Sequence, residues 1–140
     1  MTLKSVIERL GYSKNDRVII INADDVGVSQ GSIEAYLDLM AYGTISTGSG
    51  MTPCSWFPDL TRHIRENSQL DIGLHLPITC EYDAYRWRPL TNPGPKSGLV
   101  DDYGYFHKNP MDTGKYATVE SVIVEVEAQI QLSIKMGVVQ

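Results

Sequence analysis

The sequence predicts an α/β fold built on parallel strands, and three features carry that expectation. Val18-Ile19-Ile20-Ile21 is an uninterrupted β-branched run that stops at polar residues. Ile72-Gly73-Leu74-His75-Leu76 is a second apolar run, closing on a histidine near its own end. Runs of this kind read as strands buried on both faces, as parallel strands are. Between and after them lie segments with apolar residues at helical spacing, so strand and helix alternate as in βα units.

Taken in order, residues 3–10 predict a short helix that Gly11 stops, leading into a strand over residues 17–22. After Asp24-Asp25-Val26-Gly27, Ser29 can cap a helix whose positions Ile33, Tyr36, Leu37 and Met40 keep helical spacing, with Gly43 as its C-terminal stop. A β-prone stretch from Thr44 continues toward Met51 and Thr52. Ser55 then caps a second helix through Pro58, Leu60 and Ile64, which fades at Asn67-Ser68, and the third strand covers residues 71–76. Residues 77–117 break the pattern. They hold four prolines before Lys96, several glycines, and Tyr82, Tyr85, Trp87, Tyr103, Tyr105 and Phe106. A loop this long in a compact domain is usually a lid or a binding loop. Thr118 caps a last helix with Val119, Val122, Ile123, Val126, Ile130 and Ile134 as its apolar face and Gly137 as its end, and Val138-Val139 reads as the start of another strand.

The 140 residues suffice for a single domain over residues 1–140 but are few for a closed eight-stranded α/β barrel of roughly 250 residues. A formal net charge of −5, with no run of Lys and Arg, argues against a nucleic-acid partner. No stretch is apolar enough to span a bilayer, and the N-terminal residues lack a signal-peptide core. Cys54 and Cys80 are too few for a disulfide scaffold and too far apart for a metal-binding pair, so they read as buried thiols in a reduced compartment, the cytoplasm.

Asp24 and Asp25 stand at a strand exit, where α/β folds bind ligands. One carboxylate there is often only a helix cap, but Val26-Gly27-Val28 separates the pair from Ser29, the residue placed to cap. Adjacent like charges are costly unless something cationic lies between them. In the third strand, alternation puts His75 on the face of Gly73, whose missing side chain leaves space above it. A strand histidine can equally be a packed core residue. His63 sits on a polar helix face among Arg62, Arg65 and Glu66, and His107 lies in the long loop. An acid pair and an imidazole meeting at strand ends would suit a divalent metal and a hydrolytic water.

These residues resemble a known family. Val18-Ile19-Ile20-Ile21-Asn22-Ala23-Asp24-Asp25-Val26-Gly27 followed by Gly73-Leu74-His75-Leu76 is similar to the YdjC-like carbohydrate deacetylases, within the polysaccharide-deacetylase-like metal hydrolases. Gly43-Thr44-Ile45-Ser46-Thr47, Met51-Thr52-Pro53-Cys54-Ser55-Trp56-Phe57-Pro58 and Tyr85-Arg86-Trp87-Arg88-Pro89-Leu90 follow the family's order, so the likeness runs from Arg17 onward. It implies a parallel (β/α) barrel of the glycoside hydrolase/deacetylase type. It further implies Asp24 as catalytic base, Asp25 and His75 as ligands of a divalent ion, Mg2+ or Zn2+, and removal of the N-acetyl group from amino sugars or acetylated oligosaccharides. Tyr85, Arg86 and Trp87 are the candidate sugar-binding residues, because pyranose faces pack on aromatic rings and arginine donates to hydroxyls.

In the family a further strand with an Asp-x-His-x-His motif supplies another metal-ligand histidine, and this sequence reaches Gln140 before such a motif. The resemblance therefore implies the N-terminal half of the barrel, with low metal affinity and an open edge through which a homo-oligomer would form. Two readings from other classes stand beside the enzyme. One is a non-catalytic half-barrel that binds sugar or assembles with a partner. The other is a receiver-like signalling domain with Asp71 as its phospho-acceptor, although Asp71 precedes its apolar run instead of closing it.

Overall fold

The structure, a computed structural model, describes residues 5–138. Its elements are α1 (Val6–Arg9), β1 (Asn22–Val26), α2 (Gln30–Ala41), β2 (Thr47–Met51), α3 (Phe57–Glu66), β3 (Ile72–His75), a 3-10 turn (Pro95–Ser97), α4 (Pro110–Tyr116) and α5 (Val119–Met136). The three strands form one parallel sheet in the order β1-β2-β3. The α/β class with parallel strands is thus as the sequence predicts. No helix among the described residues is long and apolar enough to cross a membrane.

Two helix starts follow the expected chemistry. Ser29 accepts from the Ser32 amide and Ser32 reciprocates on the Ser29 amide, a capping box that opens α2. Thr118 accepts from the Ser121 amide at the start of α5, and Gly137 closes that helix with φ of 82°. Ser5 and Glu8 form a second capping box around α1, which is shorter than predicted; Leu3 and Lys4 lie outside the described residues. For α3 the expectation fails. Its first residue is Phe57, not one that Ser55 could cap, and no side chain caps it. Pro58 explains this: its ring is preset for a first helical turn, and it has no N–H to satisfy.

The largest displacement is in the first strand. The ladder begins at Asn22, so Asp24 and Asp25 lie inside β1, whereas residues 18–21 run outside it and expose Ile19 and Ile20 by 74% and 75%. The cause is the partner. Ser46 N donates to the Ile21 carbonyl at 2.8 Å, the first link to β2, and nothing among the described residues ladders with the chain before it. Val138 lies in a bend and Val139 outside the described residues, so the strand expected there is not described.

Two apolar clusters hold the fold. Val26, Ile33, Tyr36, Phe57, Leu60 and Ile72 fill the space between the sheet and α2 and α3. Each large side chain buried there contributes about 1.5–3 kcal/mol. Tyr36 lies so close on β2 that a Cβ on Gly48 would meet its ring at 2.7 Å, and its hydroxyl donates to the Asp71 carbonyl at 2.9 Å. Met51, Cys54, Cys80, Trp87, Leu99 and Phe106 form the second cluster, beneath the segment after β3. That segment is not bare loop: it contains the 3-10 turn, an antiparallel bridge between Val100 and Phe106, and α4, which Asn109 caps through the Met111 amide.

Helix α5 docks by a stripe only partly the one the sequence pattern indicates: Val122, Val126 and Ile130 are half-buried, and Val122 packs on the second cluster. Val119, Ile123 and Ile134 are 70%, 50% and 48% exposed, while Glu125, Gln129 and Ser133, four residues apart along one stripe, are fully buried. Burial of polar groups is costly without hydrogen-bond partners, and the chain supplies them for the Glu125 carboxylate and the Gln129 amide nitrogen, while Gln129 Oε1 and Ser133 Oγ find none. Glu125 accepts from the Leu90 and Thr91 amides, and Gln129 donates to the Pro77 carbonyl.

Candidate metal centre

Asp24, Asp25 and His75 meet at the carboxyl ends of β1 and β3, on either side of β2. In a regular strand neighbouring side chains point to opposite faces, so two consecutive aspartates should not share a target. A bulge brings them together. Ala23 pairs with Gly48 and Val26 with Gly50, so Asp24 and Asp25 together stand opposite Ser49. Asp25 adopts a left-handed backbone with φ of 56°, a conformation that aspartate tolerates better than most residues. Gly27, at φ of 93°, completes the turn toward α2, and its amide donates to Ser32 Oγ at 3.0 Å.

As a result His75 Nδ1 lies 2.8 Å from Asp24 Oδ1 and 3.2 Å from Asp25 Oδ1. One ligand atom from each of the three side chains falls within 4.8 Å of the others, a span that two first-shell ligands on one ion, each about 2 Å from it, roughly match. The two carboxylates are not equivalent. Ser49 Oγ donates to Asp24 Oδ1, and that bond, reinforced by His75, holds the Asp24 carboxyl below its ordinary range despite partial burial. Asn22 Nδ2 in turn donates to Ser49 Oγ at 3.3 Å. Asp25 moves the other way: burial raises it, and the charges of Asp24 and Glu81 add to that, outweighing His75. Among the described residues no lysine or arginine pairs with either aspartate. A crowded acid pair whose basic neighbour, among the described residues, is a single imidazole is a donor set suited to a divalent ion, whose charge would favour both carboxylates ionised.

The cluster floors a cleft of about 270 Å³ whose walls include Met51, Pro77, Thr79, Glu81 and Trp87. Trp87 also borders an adjoining cleft of about 530 Å³, lined by Tyr85, Arg86, Arg88, Leu90 and Tyr105. The three residues expected to face sugar are placed differently there. Tyr85 is 43% exposed. Trp87 is nearly buried, with its ring tilted at 5.7 Å from Tyr82. The Arg86 guanidinium is engaged by Asp101 at 2.5 Å and by the Phe106 carbonyl at 2.5 Å. Arg88, two residues on, lies over the Tyr105 ring at 4.4 Å. Its Nη1 would be 2.8 Å from a Cβ on Gly104, so the missing side chain makes room for it. Ser49, Asn22, Glu81 and Arg88 are absent from the sequence-based site. For Ser49 a signal existed, since it lies one strand over from Asp24, but only the pairing register exposes it.

The family model for YdjC-like proteins matches residues 18–139, the span that holds all three clustered residues. The chain belongs to the YdjC-like family. Curated family relatives carry the name carbohydrate deacetylase. One from Thermus thermophilus is 35% identical over 131 residues, covering 94% of this chain and 44% of the relative. Carbohydrate deacetylase 1 of Listeria innocua is 32% identical over 123 residues, covering 86% of this chain and 47% of the relative. Among solved structures, an Enterococcus faecalis V583 protein named for cellobiose-phosphate cleavage superposes with a TM-score of 0.73 at 27% identity, covering 84% of this chain and 44% of that one. The chain thus spans a little under half the length of these relatives. Family membership removes the receiver-like reading, and the fold agrees: Asp71 stands ahead of β3, at the wrong end for a phospho-acceptor.

Proposed function

We propose that the chain carries part of the active centre of a metal-dependent carbohydrate deacetylase, which hydrolyses the N-acetyl group of an amino sugar or acetylated oligosaccharide. The observation that supports this most directly is the convergence of Asp24, Asp25 and His75 on one point at the carboxyl end of a parallel sheet, in a chain of this family. Three parallel strands in sequential order, joined in turn by the two helices α2 and α3, are also how a (β/α) barrel begins.

In this reading Asp25 and His75 are ligands of a divalent ion, Mg2+ or Zn2+. The chemistry supplied by such an ion is Lewis acidity, which acidifies a bound water and polarises an acetyl carbonyl. Asp24 accepts the water proton on Oδ2, the oxygen that neither Ser49 nor His75 engages. Tyr85 offers its ring face to the sugar, Trp87, nearly buried, walls both clefts, and Arg86, held by Asp101, fixes that wall. Addition of water to the acetyl carbon and scission of the C–N bond release acetate and a free amine. The expected result is acetate release from N-acetylated chitooligosaccharides by the full-length protein, abolished by chelator and restored by Zn2+ or Mg2+. Acetate release that survives complete chelation would defeat the metal assignment, and no release under any metal would defeat the enzyme.

A second reading, a sugar-binding or assembly module, draws on the exposed Val18, Ile19, Ile20 and Ile21 beside the open edge of β1. An uncovered apolar edge favours pairing with another chain. We propose that the 140-residue chain associates with itself through this edge. It would do so in the cytoplasm, where the buried free thiols of Cys54 and Cys80 stay reduced. Light scattering behind size exclusion is expected to give a mass that rises with concentration; a monomer at high micromolar concentration would refute the association.

A further inference from the structure

One buried group in the fold takes no part in the proposed chemistry and yet is wired to it. Glu125 lies at the middle of α5 with no exposed surface, and among the described residues no cation pairs with it. Its carboxylate is instead fully occupied by neutral donors. Oε1 accepts from the Leu90 amide at 3.0 Å and from Gln129 Nε2 at 2.8 Å. Oε2 accepts from the Thr91 amide at 3.1 Å and from Thr91 Oγ1 at 2.7 Å. The same Gln129 nitrogen donates to the Pro77 carbonyl at 2.9 Å.

These bonds end on Pro77, which lines the cleft over Asp24, Asp25 and His75, and on Leu90 and Thr91, of which Leu90 lines the adjoining cleft. Pro77 stands two residues beyond His75, and Leu90 three beyond Trp87. Pro77 and Trp87 both border the cleft. Stability alone does not call for an ion here. Taking a carboxylate out of water costs several kcal/mol, and an apolar side chain of similar volume is often as stable or more so. What the carboxylate gives that an apolar residue cannot is a fixed address for two specific amides.

We infer that Glu125, with Gln129, is a positioning residue for the substrate side of the centre: it sets where Trp87 stands relative to Asp24, Asp25 and His75. The inference rests on the proposed deacetylase reading for its consequence in turnover, but not for its structural content. Glu125 touches no reacting atom. It acts through the backbone of residues 87–91.

The test uses the 140-residue chain labelled with 5-fluorotryptophan, whose two tryptophans, Trp56 and Trp87, give two fluorine resonances assigned through Trp87→Phe. Glu125→Gln keeps the size but turns an NH2 toward amide donors; Glu125→Met fills the space with no acceptor. In both, the Trp87 resonance is expected to shift or broaden while that of Trp56 stays, and the Zn2+ dissociation constant is expected to change less than about threefold. In the full-length protein kcat/KM for the acetylated sugar is expected to fall about tenfold or more, mostly through KM. An unmoved Trp87 resonance in both variants, whatever their melting temperatures, overturns the inference. Should either variant fail to fold, Thr91→Val removes only the hydroxyl bond to Oε2, and the Trp87 resonance decides there by the same rule. Should the unmodified protein release no acetate, the deacetylase reading falls, and the fluorine result still decides the role of Glu125.

Discussion

Asp25→Asn is expected to abolish divalent-ion binding, while Asp24→Asn keeps the ion and loses turnover. Both side chains touch the same imidazole nitrogen, so the difference does not come from distance. It comes from what each carboxylate is asked to do. In its proposed role as a ligand, Asp25 would contribute a full negative charge to the ion, and an amide at that position would withdraw it; with few protein ligands nearby, that loss dominates affinity. In its proposed role as a base, Asp24 would have to be ionised when the water arrives, and the Ser49 hydroxyl favours its ionised form. An asparagine there can still accept from Ser49 but cannot take up a proton, which costs roughly a hundredfold or more in rate. Calorimetric titration of Zn2+ into both variants, with acetate release assayed on the full-length protein, separates the roles. Metal lost from Asp24→Asn and kept by Asp25→Asn would reverse them. If neither variant altered either quantity, the pair would be structural.

That Asp24, Asp25 and His75 stand close together is more legible in the sequence than the pairing that brings them there. Asp24, Asp25 and His75 could be picked out because each is a polar residue where an apolar run ends, and burial makes such residues conspicuous. What could not be read was how two consecutive aspartates reach one imidazole. Simple alternation forbids it, and the bulge that permits it sets two residues of β1, between Ala23 and Val26, against one of β2, Ser49. Pairing is long-range information that a local pattern does not carry. The same cause misplaced the first strand: Val18 to Ile21 have the stronger β propensity, yet Asn22 to Val26 have the partner. In α5 the periodicity of valine and isoleucine finds half of the docked face, Val122, Val126 and Ile130, whereas the bonds that Glu125 accepts and Gln129 donates turn the centre of that face onto a polar stripe. Tertiary partners overrode part of an amphipathic pattern that was itself genuine. Composition alone marks residues 77–117 as a functional loop. Its inner order, including α4, rests on Asn109 and Pro110, which are a cap and a first-turn proline in plain view.

That inner order gives the second large expected effect: Gly98→Ala should loosen the substrate wall while sparing the metal ligands. Gly98 closes the 3-10 turn with φ of 64°, where any Cβ is strained. A Cβ there would also lie 1.7 Å from the Tyr116 carbonyl oxygen and 2.4 Å from its carbon, backbone atoms at the end of α4 that cannot rotate away. The turn has little freedom to yield, because the Ser97 carbonyl accepts from the Thr118 amide at 2.9 Å and from Ser121 Oγ at 3.1 Å. His107 Nε2 further ties the Gly98 carbonyl at 3.0 Å. A left-handed alanine costs about 1–2 kcal/mol, and forcing packed backbone apart adds about 1–3. For a chain of this size, the sum lowers the melting temperature by roughly 5–15 °C. Gly94→Ala, one turn earlier at φ of −66° with nothing within 4 Å of its Cβ, is the control and should be neutral or slightly stabilising. Leu99, next to Gly98, shares the second core with Trp87 and Phe106, so displacing the turn moves the wall of both clefts. Asp24, Asp25 and His75 hang from the sheet and do not depend on it. Zn2+ affinity should therefore hold in Gly98→Ala at a temperature well below its melting point, while affinity for an acetylated sugar falls. Melting of Gly98→Ala alongside Gly94→Ala would show that the α4 junction does not anchor the loop, and equal loss of metal and sugar would show that the sheet and the loop are one cooperative unit.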